Sequence, residues 1–182
     1  MARLKYAELG SAELAPLVAR IRSERGDVLY LYRMLLHSPP VAEGWLHLMT
    51  AIRKRTVISG TLREMIIIRI AHLNGAPYEA EQHTPFARRE GVTDAQIAAL
   101  AEPCLDASIF AADEQVALGL TDTITKSTSV NSGDWEAARA QWNDRELVEL
   151  VATIASYNMV SRFLAALEIT SSDAAHEPNG RP

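Results

Sequence analysis

The sequence predicts an all-α protein, and three observations carry that expectation. Residues Thr61 to Leu73 are apolar on almost every side (Met65 to Ile68, Ile70, Ala71, Leu73), which marks a helix buried all round. A second long apolar stretch, Arg145 to about Leu167, places Leu147, Leu150, Val151, Ile154, Val160, Leu164 and Leu167 at helical spacing. Nowhere does the alternation of a half-buried strand appear; the β-branched run Ile66-Ile67-Ile68 sits between helix-capping signals.

Each element then follows from its punctuation. Ser11 starts a helix that runs to about Arg25, with Leu14, Leu17, Val18 and Ile21 on one face and Gly26 as its stop. Val28 to Leu36 forms a short apolar helix halted by Ser38-Pro39-Pro40. Pro40 opens a third, carrying Trp45, Leu48, Met49 and Ile52 and ending in the basic turn Arg53-Lys54-Arg55, which suits the negative end of the helix dipole. Thr61 is the expected N-cap of the central helix, with Glu64 three residues on completing a capping box. Asn74-Gly75 supplies its stop. Pro77 suits the first position of the next helix, which continues to Gly91.

Thr93 and Gln96 form another capping box for a helix to about Leu100, and Pro103 and Cys104 fall in a loop. Ile109 to Thr125 is helical, Lys126 to Gly133 a polar loop, and Asp134 to Trp142 helical again. Asn143 to Glu146 caps the last long helix. Arg63-Glu64-Met65-Ile66 is echoed by Arg145-Glu146-Leu147-Val148, which fits a weak internal pseudo-repeat. Residues 1–170 are expected to form a single domain, and the small, polar, Pro- and Gly-bearing stretch 171–182 a disordered tail.

With 182 residues, a net charge of −5 and a pI near 5.5, the chain has ample length for one core and no electrostatic reason to bind nucleic acid or an anionic membrane. The N-terminus has no apolar signal region, and the apolar runs fall short of the ~20 residues of a membrane span. One cysteine, Cys104, makes no internal disulfide. A cytoplasmic location is the default expectation.

The polar residues suited to chemistry gather in TLREMIIIRIAHLNGAPYEAEQHTPFARREG, residues 61–91. Glu79 and His83, four apart, share a helical face with Gln82 and Phe86 alongside. Glu64 serves either as a cap or as a partly desolvated carboxylate with its pKa raised toward the range of proton transfer. Arg69 needs a buried partner, either a carboxylate of the same domain or one on a substrate. Asn158 and Arg162, one turn apart, line either a pocket or an interface between subunits. Glu79 and His83 could touch one metal ion, but no further ligand pattern joins them, so no metal site is expected.

Glu64, the junction Asn74-Gly75-Ala76-Pro77-Tyr78-Glu79 and the following His83 make this stretch resemble the carboxymuconolactone decarboxylase family, which includes the AhpD-like alkylhydroperoxidases. The resemblance extends from about Leu29 to Leu167 and includes Tyr157-Asn158-Met159-Val160-Ser161-Arg162-Phe163. The peroxidase branch carries a C-x-x-C pair with an upstream glutamate and a histidine four residues after the second cysteine. On this chain the glutamate falls on Glu64 and the histidine on His83, while Ala76 and Glu79 stand at the cysteine positions. The resemblance therefore implies the cysteine-free, decarboxylase-like branch and an AhpD-like helical fold. It also implies assembly into a homo-oligomer, a trimer or hexamer.

The activity implied is cofactor-free acid–base chemistry, decarboxylation or a related step, on a small carboxylated lactone or oxo-acid. His83 is the expected proton donor, Glu64 or Glu79 orients it, and Tyr78, Arg69 and Asn158 are candidates to hold the substrate. Two alternatives are an AhpD-like alkylhydroperoxidase, disfavoured by the missing thiols, and a helical oligomer that binds a small molecule without turning it over.

Overall fold

The computed structural model describes residues 2–127 and 129–176, with the side chains of 174–176 left aside. Among these residues every regular element is helical, as the sequence predicts. The chain divides into two compact units, residues 1–55 together with 166 onward, and residues 56–165.

The first unit holds α1 (Ala15–Arg25), α2 (Tyr30–Leu35) and α3 (Pro39–Lys54). The first helix begins four residues later than the Ser11 cap suggests, although the Ser11 hydroxyl still accepts a hydrogen bond from the Leu14 amide at 3.2 Å. Gly26 closes α1 at φ +86°, a left-handed backbone that glycine adopts without strain. Arg25, in the last turn of α1, donates to the Tyr32 hydroxyl (3.0 Å) and to Thr50 Oγ1 (2.7 Å), so one guanidinium ties the three helices. Trp45, Met49 and Ile52 of α3 are buried as their spacing predicts, whereas Leu48 faces outward.

Ser171–His176 form a short 3-10 helix, an ordered start to the stretch that composition reads as a tail. Buried Asp173 anchors it, accepting from the Tyr6 hydroxyl at 2.6 Å and the Thr170 amide at 3.1 Å. The remainder of that expected tail, 177–182, lies outside the described residues.

The second unit is built on α4 (Gly60–Leu73), which packs most extensively on α5 (Pro77–Arg89) and α7 (Ala112–Lys126) and also meets α6 (Asp94–Leu100). Met65, Ile66, Ile67, Ile68, Ile70 and Ala71 have no exposed surface. Each buried isoleucine contributes about 1.5–3 kcal/mol, which is why the β-branched run is held as a helix. Met65 and Ile68 join Ala87, Val92, Leu100, Phe110 and Leu118 in one cluster.

Two glycines turn the chain around this core. Gly75 lies at φ +63° and Gly91 at φ +93°, each just past a helix end. After α4 the Ala76 amide bonds the Ala71 carbonyl at 2.8 Å and the Gly75 amide that of His72 at 3.2 Å. After α5 the Val92 and Gly91 amides repeat this on Ala87 and Arg88. Both are Schellman stops, and the first delivers Pro77 to the opening position of α5. Pro85 sits inside α5, where it contributes no amide, yet the helix continues to Arg89.

The unit is completed by a 3-10 turn (Ala107–Ile109), α8 (Ser132–Gln141) and α9 (Asp144–Leu167). Asn131 caps α8, which starts at Ser132, two residues ahead of the start at Asp134 that the sequence suggested, and Asn143 caps α9 as expected, accepting from the Arg145 and Glu146 amides. At 24 residues and a mean hydropathy of 1.4 over its most apolar window, α9 is long and apolar enough to cross a membrane by length and composition. That corrects the sequence estimate, which counted unbroken apolar runs. Half of the window is buried inside the protein, as in a core helix, and buried Asn158 and Ser161 lie on it.

Arg69, on the sealed α4, is 1% exposed and commits all five of its N–H donors. Nε and Nη2 grip Asp122 of α7 at 2.7 and 2.8 Å, Nη1 reaches the carbonyls of Leu100 (3.1 Å) and Glu102 (2.6 Å), and Nη2 also reaches that of Pro103 (3.5 Å). The partner is thus a carboxylate of the same unit. Asp122→Ala strands this buried cation and is expected to cost about 3–5 kcal/mol, read from the midpoint and slope of urea unfolding. A loss below about 1 kcal/mol, the size of a surface pair, contradicts the role given to Arg69.

Candidate functional site

The site begins with a displaced cap. Ser59, not Thr61, caps α4: its hydroxyl accepts from the Leu62 amide at 3.1 Å, while the Thr61 hydroxyl donates to the Glu90 carbonyl at 2.5 Å. The shift of two residues carries Glu64 past the first turn, so no capping box forms. The Glu64 side chain, 1% exposed, turns inward instead.

There it meets α5. Glu64 Oε2 lies 2.6 Å from His83 Nδ1, and Glu64 Oε1 lies 3.3 Å from Arg63 Nε. An ionised Glu64 accepts the Nδ1 proton of His83 and so fixes the ring's orientation. The His83 ring stands edge-on to Tyr157 of α9, with centroids 5.3 Å apart and planes at 89°, and lies 6.0 Å from Phe86. Glu64 is the most enclosed of the three: its side chain is 1% exposed, against 13% for Arg63 and 9% for His83.

Glu79, one turn before His83 on α5, belongs to a second pair. It is 2% exposed, and its Oε2 accepts a hydrogen bond from the Ser161 hydroxyl of α9. Its Oε1 is buried without a hydrogen-bond partner among the described residues. Burial lifts the carboxyl from its ordinary 4.5 to about 8, against the opposing pull of the Ser161 hydrogen bond, so Glu79 is mainly neutral at pH 7. The orienting carboxylate of His83 is therefore Glu64, and Glu79 is a separate, protonated group.

The expected substrate contacts fare unevenly. Tyr78 is buried beside Glu79 on α5. Arg69 is spent on Asp122 and three carbonyls and is not part of the Glu64–His83 pair. Asn158 is a structural clamp: Nδ2 donates to Thr125 Oγ1 (3.0 Å) and the Ile154 carbonyl (3.1 Å), and Oδ1 accepts from Asn74 Nδ2 (3.0 Å). It locks the end of α4 to α7 and α9. Cys104 is exposed in its loop. Among the described residues no three His, Cys, Asp or Glu side chains cluster as metal ligands.

Two site residues escaped the sequence reading. Arg63 pairs with its immediate neighbour, a contact that helical spacing rules do not anticipate. Ser161 carried a usable signal, a hydroxyl one turn after Tyr157 in the buried stripe of α9, where every polar atom needs a partner.

The raised Glu79 pKa fixes a pH dependence. Since the folded form holds the proton more tightly than the unfolded chain, its stabilising effect is complete below about 4.5 and is lost as pH rises toward 8. Glu79→Gln removes this dependence. The wild type should lose melting temperature relative to that variant between those limits and run parallel to it above them. Parallel curves throughout the window contradict a neutral buried Glu79.

Comparison with known proteins agrees with this geometry. The carboxymuconolactone decarboxylase family profile matches residues 39–122, which include Glu64, Glu79 and His83. The chain is 29% identical over 116 residues to the uncharacterized protein YdfG of Bacillus subtilis (strain 168), covering 63% of this chain and 78% of that one. Its fold matches the alkylhydroperoxidase AhpD core of a peroxidase-related protein from Ralstonia eutropha JMP134 with a TM-score of 0.79 at 19% identity, over 92% of this chain and 90% of that one. A peroxidase-related protein from Silicibacter sp. TM1040 gives 0.77 at 17% identity, over 91% and 88%. The chain thus has an AhpD-like helical fold and resembles the carboxymuconolactone decarboxylase family over residues 39–122.

Proposed function

We propose that the protein is a cofactor-free enzyme that removes carbon dioxide from, or performs a related proton transfer on, a small carboxylated lactone or oxo-acid. The observation that carries this reading is the buried 2.6 Å contact between Glu64 and His83. A carboxylate on Nδ1 fixes the ring and stabilises its protonated form, so Nε2–H is poised as a general acid. Loss of carbon dioxide leaves an electron pair delocalised onto a neighbouring carbonyl. Nε2–H protonates the carbon, the carbonyl re-forms, and solvent restores the proton to His83.

A peroxidase reading draws support from the peroxidase-related fold neighbours, but its chemistry needs one thiolate to attack peroxide and a second thiol to resolve the sulfenic acid. Here Ala76 and Glu79 occupy the family's thiol positions, and Cys104 has no second cysteine in the chain. The proposal includes a homo-oligomer, trimer or hexamer, supported by apolar surface left outward on α9, where Val148 is 68% exposed. Sedimentation at micromolar concentration as a strict monomer speaks against that part.

The test compares variants on peroxide and on a panel of lactones and oxo-acids. His83→Ala should lower turnover by about 10²–10⁴-fold with the helical spectrum kept, Glu64→Gln by a smaller factor, and Cys104→Ser should leave it unchanged. Robust peroxide turnover that disappears with Cys104→Ser and survives His83→Ala overturns the reading.

A further inference from the structure

Two helices meet here in a simple register. On α5, Glu79 and His83 are one turn apart; on α9, Tyr157 and Ser161 are one turn apart. Ser161 bonds Glu79 and Tyr157 packs on His83, so the two faces run antiparallel and set both α5 side chains along one line. Each α5 group has a dedicated partner on a different helix: Glu64 of α4 for His83, Ser161 of α9 for Glu79.

We infer that Glu79 is a further catalytic residue, a neutral carboxylic acid whose Oε1–H donates a hydrogen bond to the substrate oxygen that becomes an enolate oxygen. The inference deepens the decarboxylase reading and rests on it for the identity of the reaction. Three observations carry it. The Ser161 hydroxyl engages Oε2, which leaves Oε1 as the carboxyl oxygen for a ligand to meet. Oε1 is buried and has no acceptor among the described residues, a costly state for an O–H group unless a ligand supplies one. His83, the proton donor of the proposed reaction, lies one turn away on the same face.

The step balances without an added reagent. The bond from the substrate carbon to its carboxylate breaks, carbon dioxide departs, and the electron pair forms the enolate carbon–carbon double bond. The carbonyl π pair moves onto oxygen, where Oε1–H stabilises the charge. Carbon then takes the His83 Nε2 proton and the carbonyl returns. A neutral acid suits this task better than an ionised one, which would repel the developing charge, and burial is the device that keeps a carboxyl neutral.

The ionisable groups around Glu79 are His83 on its own helix, Glu64 of α4 through its bond to His83, and Tyr157 one turn before Ser161 on α9, while Arg162 beside Ser161 is exposed. The Glu79 proton is nevertheless governed by burial, which raises its pKa, and by Ser161, which lowers it. Removing the Ser161 hydroxyl must therefore push the titration higher, a direction that loss of packing alone does not dictate.

The experiment needs no known substrate. 4-Nitrophenol, which ionises near neutrality, serves as the oxyanion probe through the absorption band of its phenolate. Wild-type protein should bind the phenolate at pH 7.5 and lose about tenfold in affinity per pH unit once Glu79 ionises. Glu79→Gln, whose amide still donates, should bind without that alkaline fall, and Glu79→Leu should not bind. Ser161→Ala should move the fall to higher pH. Carboxyl carbon NMR of glutamate-labelled protein should show one titration near pH 8 that vanishes in Glu79→Gln and rises in Ser161→Ala.

No phenolate binding by the wild type, the same alkaline fall in Glu79→Gln, or a downward shift in Ser161→Ala each overturns the inference. Phenolate binding of the expected form with no turnover of any lactone or oxo-acid keeps the donor and removes the decarboxylase. Turnover that depends on His83 but ignores Glu79→Leu does the reverse.

Discussion

Sealing α4 inside the second unit is the constraint on which the rest depends. From Glu64 to Ala71 this helix is closed to water on every side, so each polar side chain there must be matched by a group of the protein or carry a large desolvation cost. Arg69 answers with a carboxylate and three backbone carbonyls, and its grip joins α4 to α7 and to the turn after α6. Glu64 answers with one imidazole and the side chain of its neighbour Arg63. The first arrangement exhausts its donors and is architecture. The second joins a carboxylate to an imidazole of the next helix, and that difference separates the two buried polar positions of one helix.

The same accounting shows why Glu79 behaves differently from Glu64 although both are buried glutamates near His83. Glu64 has a partner that can be cationic, whereas Glu79 has a hydroxyl. A hydroxyl donates to one carboxylate oxygen but brings no charge, so burial outweighs it and the proton stays. The two carboxyls thus differ in what faces each of them.

Most of the fold was legible in the sequence because its helices announce their ends: Asn74-Gly75, Gly91, the Thr93–Gln96 box and Asn143 all act as read. The misplacements have local causes. Thr61 looked like the cap because Glu64 stood three residues on, but Ser59 took the position and Thr61 turned to the Glu90 carbonyl. Of the site, Glu64 and His83 were legible through the family pattern, and the structure adds that Glu64 rather than Glu79 pairs with the histidine. Arg69 and Asn158 were assigned to substrate because buried polar side chains draw attention; sequence carries no record of Asp122, Thr125 or Asn74 folding back to claim them. Arg63 and Ser161 stayed hidden for the complementary reason, being unremarkable until a partner 1 or 82 residues away gives them meaning.

The buried Glu79 also alters how the molecule registers in bulk solution. A formal charge of −5 counts every glutamate as ionised. A chain that keeps this proton at neutral pH migrates as though it carried nearly one negative charge fewer, and it returns to the formal value as it unfolds. Unfolding therefore releases close to one proton into the medium. Its calorimetric heat must then depend on the buffer that receives the proton, larger in a buffer that protonates endothermically than in one that protonates exothermically. A single carboxyl between α5 and α9 thereby couples the folding heat of the whole unit to the composition of the solvent.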